Sequence, residues 1–362
     1  MPSSVPTRLT ALDAFRGATM AFMVLVNNPG NGHFSYAPLQ HAEWDGWTPT
    51  DVVFPSFVWI VGVAITLALG KRLEQGASKS TLLANAAKRA LIIFALGLLV
   101  YAVPTFDPQT FRILGVLQRI AICYFITVAI YLYTDWRGQL AAVATLMAVY
   151  WALMMYAPVP GFGSGNLDEA HNFAHYIDKI TLGGHNYHST KTWDPEGIVS
   201  TLPSIAGMLL GVLAGHLLTR KITLPEKIKQ MAILGIALFA SAYALNQWMP
   251  INKKLWSDSF VLLMAGLDFL MLAAFLTVAD VWGKKGIFKP FVIIGLNPIT
   301  VYLVSEFADT LFNMLGWRTA IYECFAQFLA PMNASLLYAL LYVGLMYAVA
   351  YILYKRGIFL RA

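Results

Sequence analysis

Hydrophobic residues in this chain fall in long blocks rather than alternating or recurring on one helical face. A membrane-crossing helix needs about 20 mostly apolar residues. Ten stretches qualify, at 10–28, 51–70, 86–103, 113–133, 139–157, 198–218, 230–248, 258–281, 291–308 and 334–354. A less apolar stretch, 309–332, is interrupted by Gly316 and Pro331 and reads as an outward-side or re-entrant helix, with a full crossing as the alternative. The pattern predicts an all-α, polytopic transmembrane helical bundle of about ten spans, forming a single domain over 1–362.

Composition points the same way. The chain is 58% hydrophobic and 12% charged, about half the charge of a water-soluble domain, so much of its surface must face something apolar. The N-terminal residues lack a long apolar core ending in a small-residue cleavage site, so the first span is expected to stay in place. Cys123 and Cys324 make neither a disulfide framework nor a metal pattern.

Charge placement orients the bundle. Arg8, Arg16, Lys71, Arg72, Lys79, Lys88, Arg89, Arg137, the Arg220–Lys229 group, Lys284, Lys285, Lys289, Lys355, Arg356 and Arg361 fall on one side. By the positive-inside rule that side is cytoplasmic and both termini lie there, which ten crossings satisfy. The net charge of +6 therefore reports orientation, not nucleic-acid binding.

This topology leaves three polar, aromatic segments outside, at 28–50, 158–197 and 249–257. Loops as long as 158–197 are usually functional or disordered. Flat aromatics beside carboxylates and amides suit sugar binding; a lid without specificity is the alternative reading.

Several polar residues at the span ends could carry chemistry. Asn27 closes the first span, as a helix cap or as a donor to an oxyanion. His41, among Trp44 and Trp47, could accept a proton from an amine or hydroxyl, carry an acyl group, or be an interfacial histidine. Asp51 opens the second span, where it suits the helix dipole and could orient His41. Arg119 lies inside the fourth span and calls for a partner: Glu306, Asp268 or a bound anion. Asn297-Pro298 breaks a helix, which is tolerated at membrane depth only in protein or beside a cavity. His171, His175, His185 and His188 lack a metal-site frame, so no metal is expected. Neither a Walker loop nor a Gly-x-Ser-x-Gly elbow occurs, which argues against an ATP-driven pump and a serine hydrolase.

Longer strings carry a resemblance. Leu12-Asp13-Ala14-Phe15-Arg16-Gly17 with Met23-Val24-Leu25-Val26-Asn27, then His41-Ala42-x-Trp44-x-Gly46-x-Thr48-x-x-Asp51, Gly115-Val116-Leu117-Gln118-Arg119, Asp194-Pro195-Glu196-Gly197, Pro250-Ile251-Asn252-Lys253-x-Leu255-Trp256 and Gly295-x-Asn297-Pro298 run in order. Together they resemble the heparan-alpha-glucosaminide N-acetyltransferase family, in a minimal bacterial form. The resemblance implies acetyl transfer from cytosolic acetyl-CoA to an amino sugar or glycan on the periplasmic side of the inner membrane. It places the family's active histidine on His41 and its active-site asparagine on Asn27, with Asp51 as the third catalytic candidate. Arg119, Gln118, Asn297, Lys71 and Arg72 are the candidates for holding acetyl-CoA. Trp44, Asp194, Glu196, Lys253, Trp256 and Glu306 are those for the carbohydrate acceptor. Expected partners are acetyl-CoA, the acceptor and the bilayer, with a homodimer suggested by relatives. The competing reading is an N-acetylglucosamine-type transporter, although no internal repeat is visible.

Overall fold

The computed structural model describes residues 9–359; Arg8 and Arg361, two of the orienting charges, lie outside that range. Every regular element within it is helical. In chain order these are α1 (Thr10–Asn27), α2 (Val53–Glu74), α3 (Lys79–Ala102), α4 (Val116–Tyr133), α5 (Trp136–Tyr156), α6 (Phe173–Leu182) and α7 (Thr201–Thr219). They continue with α8 (Leu224–Leu245), α9 (Asp258–Leu276), α10 (Lys289–Gly295), α11 (Pro298–Met314), α12 (Trp317–Ala326) and α13 (Pro331–Lys355).

Side-chain caps set several starts. Ser78, Asp135, Asn172 and Ser257 each accept a backbone N–H from the first turn of the helix that follows, satisfying a donor that would otherwise be orphaned.

Among the described residues, eight helices are long and apolar enough to cross a membrane: α2 with its leading turn, α3, α4, α5, α7, α8, α9 with its trailing turn, and α13. Each of the ten expected stretches falls on a helix, but two differ from expectation. The first, α1, carries Asp13 and Arg16 and is not among the eight. The ninth, expected as one span over 291–308 with a break at Asn297-Pro298, is two helices, α10 and α11, bent by 64° at Leu296-Asn297. Pro298 causes the break, because it has no N–H to continue the ladder and its ring excludes the preceding turn. The 309–332 stretch also divides: α11 runs on to Met314, and α12, at ten residues or about 15 Å, is too short to cross.

The bundle closes where backbones touch. A Cβ on Gly17 would lie 1.7 Å from the Phe291 carbonyl oxygen, and one on Gly295 would lie 2.1 Å from that of Asp13, so α1 and α10 meet without side chains between them. Gly62 and Gly211 do the same for α2 and α7, each 2.0 Å from a carbonyl of the other helix. Small residues at such crossings let membrane helices gain close dispersion contact. α2 and α7 are the most deeply buried of the long helices, and α5 and α8 lie outermost.

Candidate active site

The three polar segments expected to share one face converge at one end of the bundle. The Gly46 N–H donates to the Ile251 carbonyl at 2.7 Å, and the Trp44 indole donates to the Leu167 carbonyl at 3.1 Å. His175 stacks on Trp193 at 4.0 Å, with Trp44 edge-on to both. Lys254 Nζ donates to the Glu43 carbonyl at 2.5 Å and stands 5.7 Å over the Trp44 ring.

At the centre of this end lies Asp51, buried in the turn that leads into α2. One of its oxygens is 2.7 Å from His41 Nδ1; the other accepts the backbone N–H groups of Ala42 and Thr48 at 3.1 and 2.9 Å. A carboxylate on Nδ1 fixes the proton there and leaves the lone pair of Nε2 to accept. The His41 side chain is 49% exposed, so the ring is reachable from outside, with Lys253 Nζ beside Nε2. Lys253 Nζ completes the cluster, 3.0 and 3.3 Å from the two ring nitrogens and 3.5 Å from Asp51 Oδ1. Burial pushes Lys253 below the usual lysine range, with Asp51 and Glu196 opposing.

Beside it sits a second charged group, in which Asp194 and Glu196, both expected at the acceptor, meet Arg112, which the sequence did not single out. The Arg112 guanidinium grips Asp194 through two bonds of 2.8 and 2.6 Å, donates to Glu196 at 2.5 Å, and lies between the rings of Tyr101 and Tyr187. Burial opposes the charge on Glu196, but Arg112, Arg119 and Lys253 outweigh it and hold the carboxyl below its ordinary range. Arg112 thus bridges both acids, while burial pushes Asp194 above its ordinary range. Only the placement of Arg112 between two expected spans hinted at this.

A long cavity enters the bundle from the opposite end. It holds about 1180 Å³, its open mouth included, and is walled by α1, α2, α3, α4 and the start of α11. Arg16, Arg72 and Arg89 line one end, and Phe54, Met23, Val116 and Tyr302 line the other. Along α2 the wall runs from Phe54 to Arg72, about 27 Å at 1.5 Å per residue. Between these limits the walls are apolar, with Ile60, Val61, Ala64 and Ile65 from α2. Phe54 stands about one helical turn along the chain from Asp51, so the inner end of the cavity lies about one turn from the residue that holds His41.

The structure distributes the other expected site residues unevenly. Arg72 lines the cavity; Lys71, next to it, is exposed elsewhere. Arg16 and Arg89 join Arg72, although in sequence they read as ordinary orienting charges. Gln118 and Arg119 do not line it. On α4 the residues facing the cavity are Val116, Leu117, Ile120 and Tyr124, whereas Gln118 packs against Gly97 of α3. Arg119 donates to the Gly197 carbonyl at 3.1 Å and to Ser200, and lies 4.9 Å over the Trp256 ring. It pairs with neither Glu306 nor Asp268; Asp268 accepts from Ser56 at 2.5 Å instead. The reason is depth: Arg119 sits one turn into α4, level with the chain that leads into α7.

Trp256 is buried between Phe54, Phe260 and Arg119, and so separates Arg119 from the cavity. Its φ of 55° is a strained conformation for a bulky residue, held by this packing. Asn297 occupies the α10–α11 break and donates to the Ile358 carbonyl at 3.0 Å. Asn27 ends α1 and is exposed; it continues the stripe of Met20 and Met23, both of which line the cavity. Glu306 lies half-buried on α11, one turn beyond Tyr302. No group of three or more metal-ligating side chains occurs among the described residues.

Residues 8–249 match the family model for heparan-alpha-glucosaminide N-acetyltransferase, catalytic. The chain is 30% identical to the heparan-alpha-glucosaminide N-acetyltransferase of Mus musculus over 98% of its own length, and 30% identical to that of Homo sapiens over 99%. It spans 61% and 60% of the length of these two relatives.

Proposed function

This chain belongs to the heparan-alpha-glucosaminide N-acetyltransferase catalytic family, and on that premise we propose that it is a transmembrane acetyltransferase that passes acetyl from acetyl-CoA to an amino sugar across the thickness of the bundle. The observation that carries this reading is the meeting of two features: an arginine-ended apolar cavity, and a His41–Asp51 pair one turn beyond its inner end.

The cavity suits the donor. Guanidinium groups bind phosphate well, and Arg16, Arg72 and Arg89 stand at the mouth where the phosphate-rich end of CoA would rest. A pantetheine arm reaches roughly 15–20 Å from its bond lengths, short of the distance from Arg72 to Phe54 but more than the about 10 Å that separates Arg16 from Met23 along α1. Phosphates held at the level of Arg16 would therefore bring the thioester to the inner end of the cavity, near Phe54. The excess of basic residues at the arginine end makes that side cytoplasmic and the His41 end periplasmic. Counting α1 and the bent pair as crossings gives ten, with both termini inside. A bacterial inner membrane fits this arrangement.

In the reaction, the acceptor amine attacks the thioester carbonyl. Its proton passes to Nε2 of His41, whose Nδ1–H donates to Asp51. The carboxamide of Asn27, on the cavity-facing stripe of α1, donates to the tetrahedral oxyanion. The C–S bond breaks, and the thiolate leaves as the thiol after taking up the proton. The acceptor sugar rests against Trp44 and Lys253, where the loops converge.

The test is acetyl transfer by the purified protein in detergent, without an ion gradient. Mass analysis of glucosamine incubated with acetyl-CoA should show the N-acetylated product, and His41→Ala should abolish it with the thermal unfolding temperature unchanged. Full activity in His41→Ala would remove the imidazole from the mechanism, and sugar uptake into proteoliposomes without CoA would favour a transporter.

A further inference from the structure

A second apolar space lies on the other face of α1 and α2. Where Met20 and Met23 of α1 face the arginine-ended cavity, Ala18 and Phe22 face this one; where Phe54 and Phe57 of α2 face the first, Val53 and Ser56 face the second. Its third wall is α9, from Leu267 to Phe275, a stretch of about 12 Å. The groove holds about 790 Å³, its open side included. Ala18, Phe22, Leu267 and Met271 are only half-buried, so one flank is open. That flank lies on α1 and α9; α9 is long and apolar enough to cross a membrane, and with both helices counted as crossings the flank faces hydrocarbon.

The lining excludes a polar occupant. Its side-chain polar atoms come from Thr19, Ser56 and Trp47, and all three are spent: Thr19 donates to the Phe15 carbonyl at 3.0 Å, Ser56 to Asp268 at 2.5 Å and Trp47 to the Tyr243 hydroxyl at 3.3 Å. A sugar ring or a phosphate would lose its water and gain no bond. A hydrocarbon chain has no hydrogen bonds to give up there, and its cost is only the ordering of its bonds.

The position of the mouth chooses among hydrocarbon chains. Trp47 and Pro49 form the mouth, and they flank Thr48, whose N–H bonds the Asp51 carboxylate that holds His41. A chain lying in the groove therefore emerges beside the imidazole. An ordinary phospholipid has no use for that exit, whereas a substrate that must present its head group to His41 does.

We propose that this groove holds the hydrocarbon chain of a lipid-linked amino sugar, so that the acceptor is an amphiphile drawn from the bilayer rather than a free sugar. The proposal rests on the acetyltransferase reading for its activity test but not for its binding test. Donor and acceptor would then approach along opposite faces of the same two helices and meet at residues 51–54.

In nanodiscs, dodecyl glucosaminide should be acetylated with a kcat/KM at least about tenfold above that of glucosamine, because anchoring raises its local concentration at the site. Ala18→Phe, and separately Leu267→Trp, should fill the groove and erase that advantage while leaving the glucosamine rate and the unfolding temperature unchanged. Equal kcat/KM for the two acceptors in the wild type overturns the proposal. For the binding arm, a diazirine in the dodecyl chain should photolabel the groove faces of α1 and α9, with unlabelled dodecyl glucosaminide competing. A phospholipid carrying the same diazirine that labels the groove equally and resists that competition would make the occupant bulk lipid and overturn the proposal. So would chain-to-chain cross-links across the groove, which would indicate a second copy. Labelling without any acetyl transfer would instead sink the acetyltransferase reading and leave the groove assignment standing.

Discussion

Asp51 divides its carboxylate between two tasks: Oδ1 meets His41 Nδ1 at 2.7 Å, and Oδ2 accepts the N–H groups of Ala42 and Thr48. An asparagine can serve only one task. Its oxygen must stay with the two backbone donors, which turns its NH₂ toward Nδ1 and drives the imidazole proton to Nε2, the nitrogen that has to accept one. Asp51→Asn should therefore lower kcat by about a hundredfold or more with KM for acetyl-CoA unchanged. Steady-state kinetics decide it, and an unchanged kcat would free His41 from Asp51.

Arg72 and Arg89 lie at the phosphate end of the proposed donor site. Arg72→Glu with Arg89→Glu should raise KM for acetyl-CoA by about tenfold or more, and the difference from wild type should shrink in high salt. Acetyl-pantetheine, which lacks the nucleotide, should be used equally by both proteins. A parallel loss with both donors would mean that the arginines hold the fold rather than the phosphates.

Midway along the cavity the wall is Ala64. Ala64→Trp places an indole in the path of the pantetheine arm and should remove activity with acetyl-CoA and acetyl-pantetheine alike. The unfolding temperature should hold, because the cavity has room for the ring. Retained turnover would reroute the donor.

The α1–α10 contact has no such room. A methyl at Gly295 meets the Asp13 carbonyl at 2.1 Å, and backbone cannot be displaced as a side-chain tip can. Gly295→Ala should destabilise by about 1–3 kcal/mol, read as a fall in thermal unfolding temperature, whereas Gly344→Ala on α13, with nothing near its Cβ, should not.

Two groups in the loop cap titrate against each other. Burial pushes His175 down to about 4, so the folded cap loses stability as pH falls from 6.5 through that value. Burial raises Asp178 to about 6, so its contribution is present at low pH and is lost as pH rises through 6. Each amounts to about 3 kcal/mol at most, from 1.36 kcal/mol per unit, and between pH 4 and 6 they offset. Asp178→Asn should expose the histidine's loss, giving a steeper fall in cap stability below pH 6 by Trp fluorescence. His175→Phe should reverse the slope.

The helices were legible because each apolar block is long and the Asn297-Pro298 step announces its own break. The convergence of the three polar segments was legible as a shared face, through loop charge and parity, but not as contacts, because Trp44 meeting Leu167 depends on tertiary packing that no local pattern encodes. The donor residues divided for a related reason. A motif such as Gly115–Arg119 marks a region, but helical phase decides which of its side chains turn inward, and the phase of α4 sends Val116, Leu117 and Ile120 to the cavity and Gln118 to Gly97. Arg16 and Arg89 were hidden by resembling orienting charges, and Arg112 by having its partners 82 and 84 residues away.

With α1, α2 forms the partition between two compartments, with Phe54 and Phe57 on one side and Val53 and Ser56 on the other. Its tight seam with α7 through Gly62 and Gly211 leaves it no freedom to back away. Bulk that fits inside one chamber stays there, whereas bulk that exceeds it can only press through the shared wall into the other. An inhibitor larger than the groove would therefore act on both.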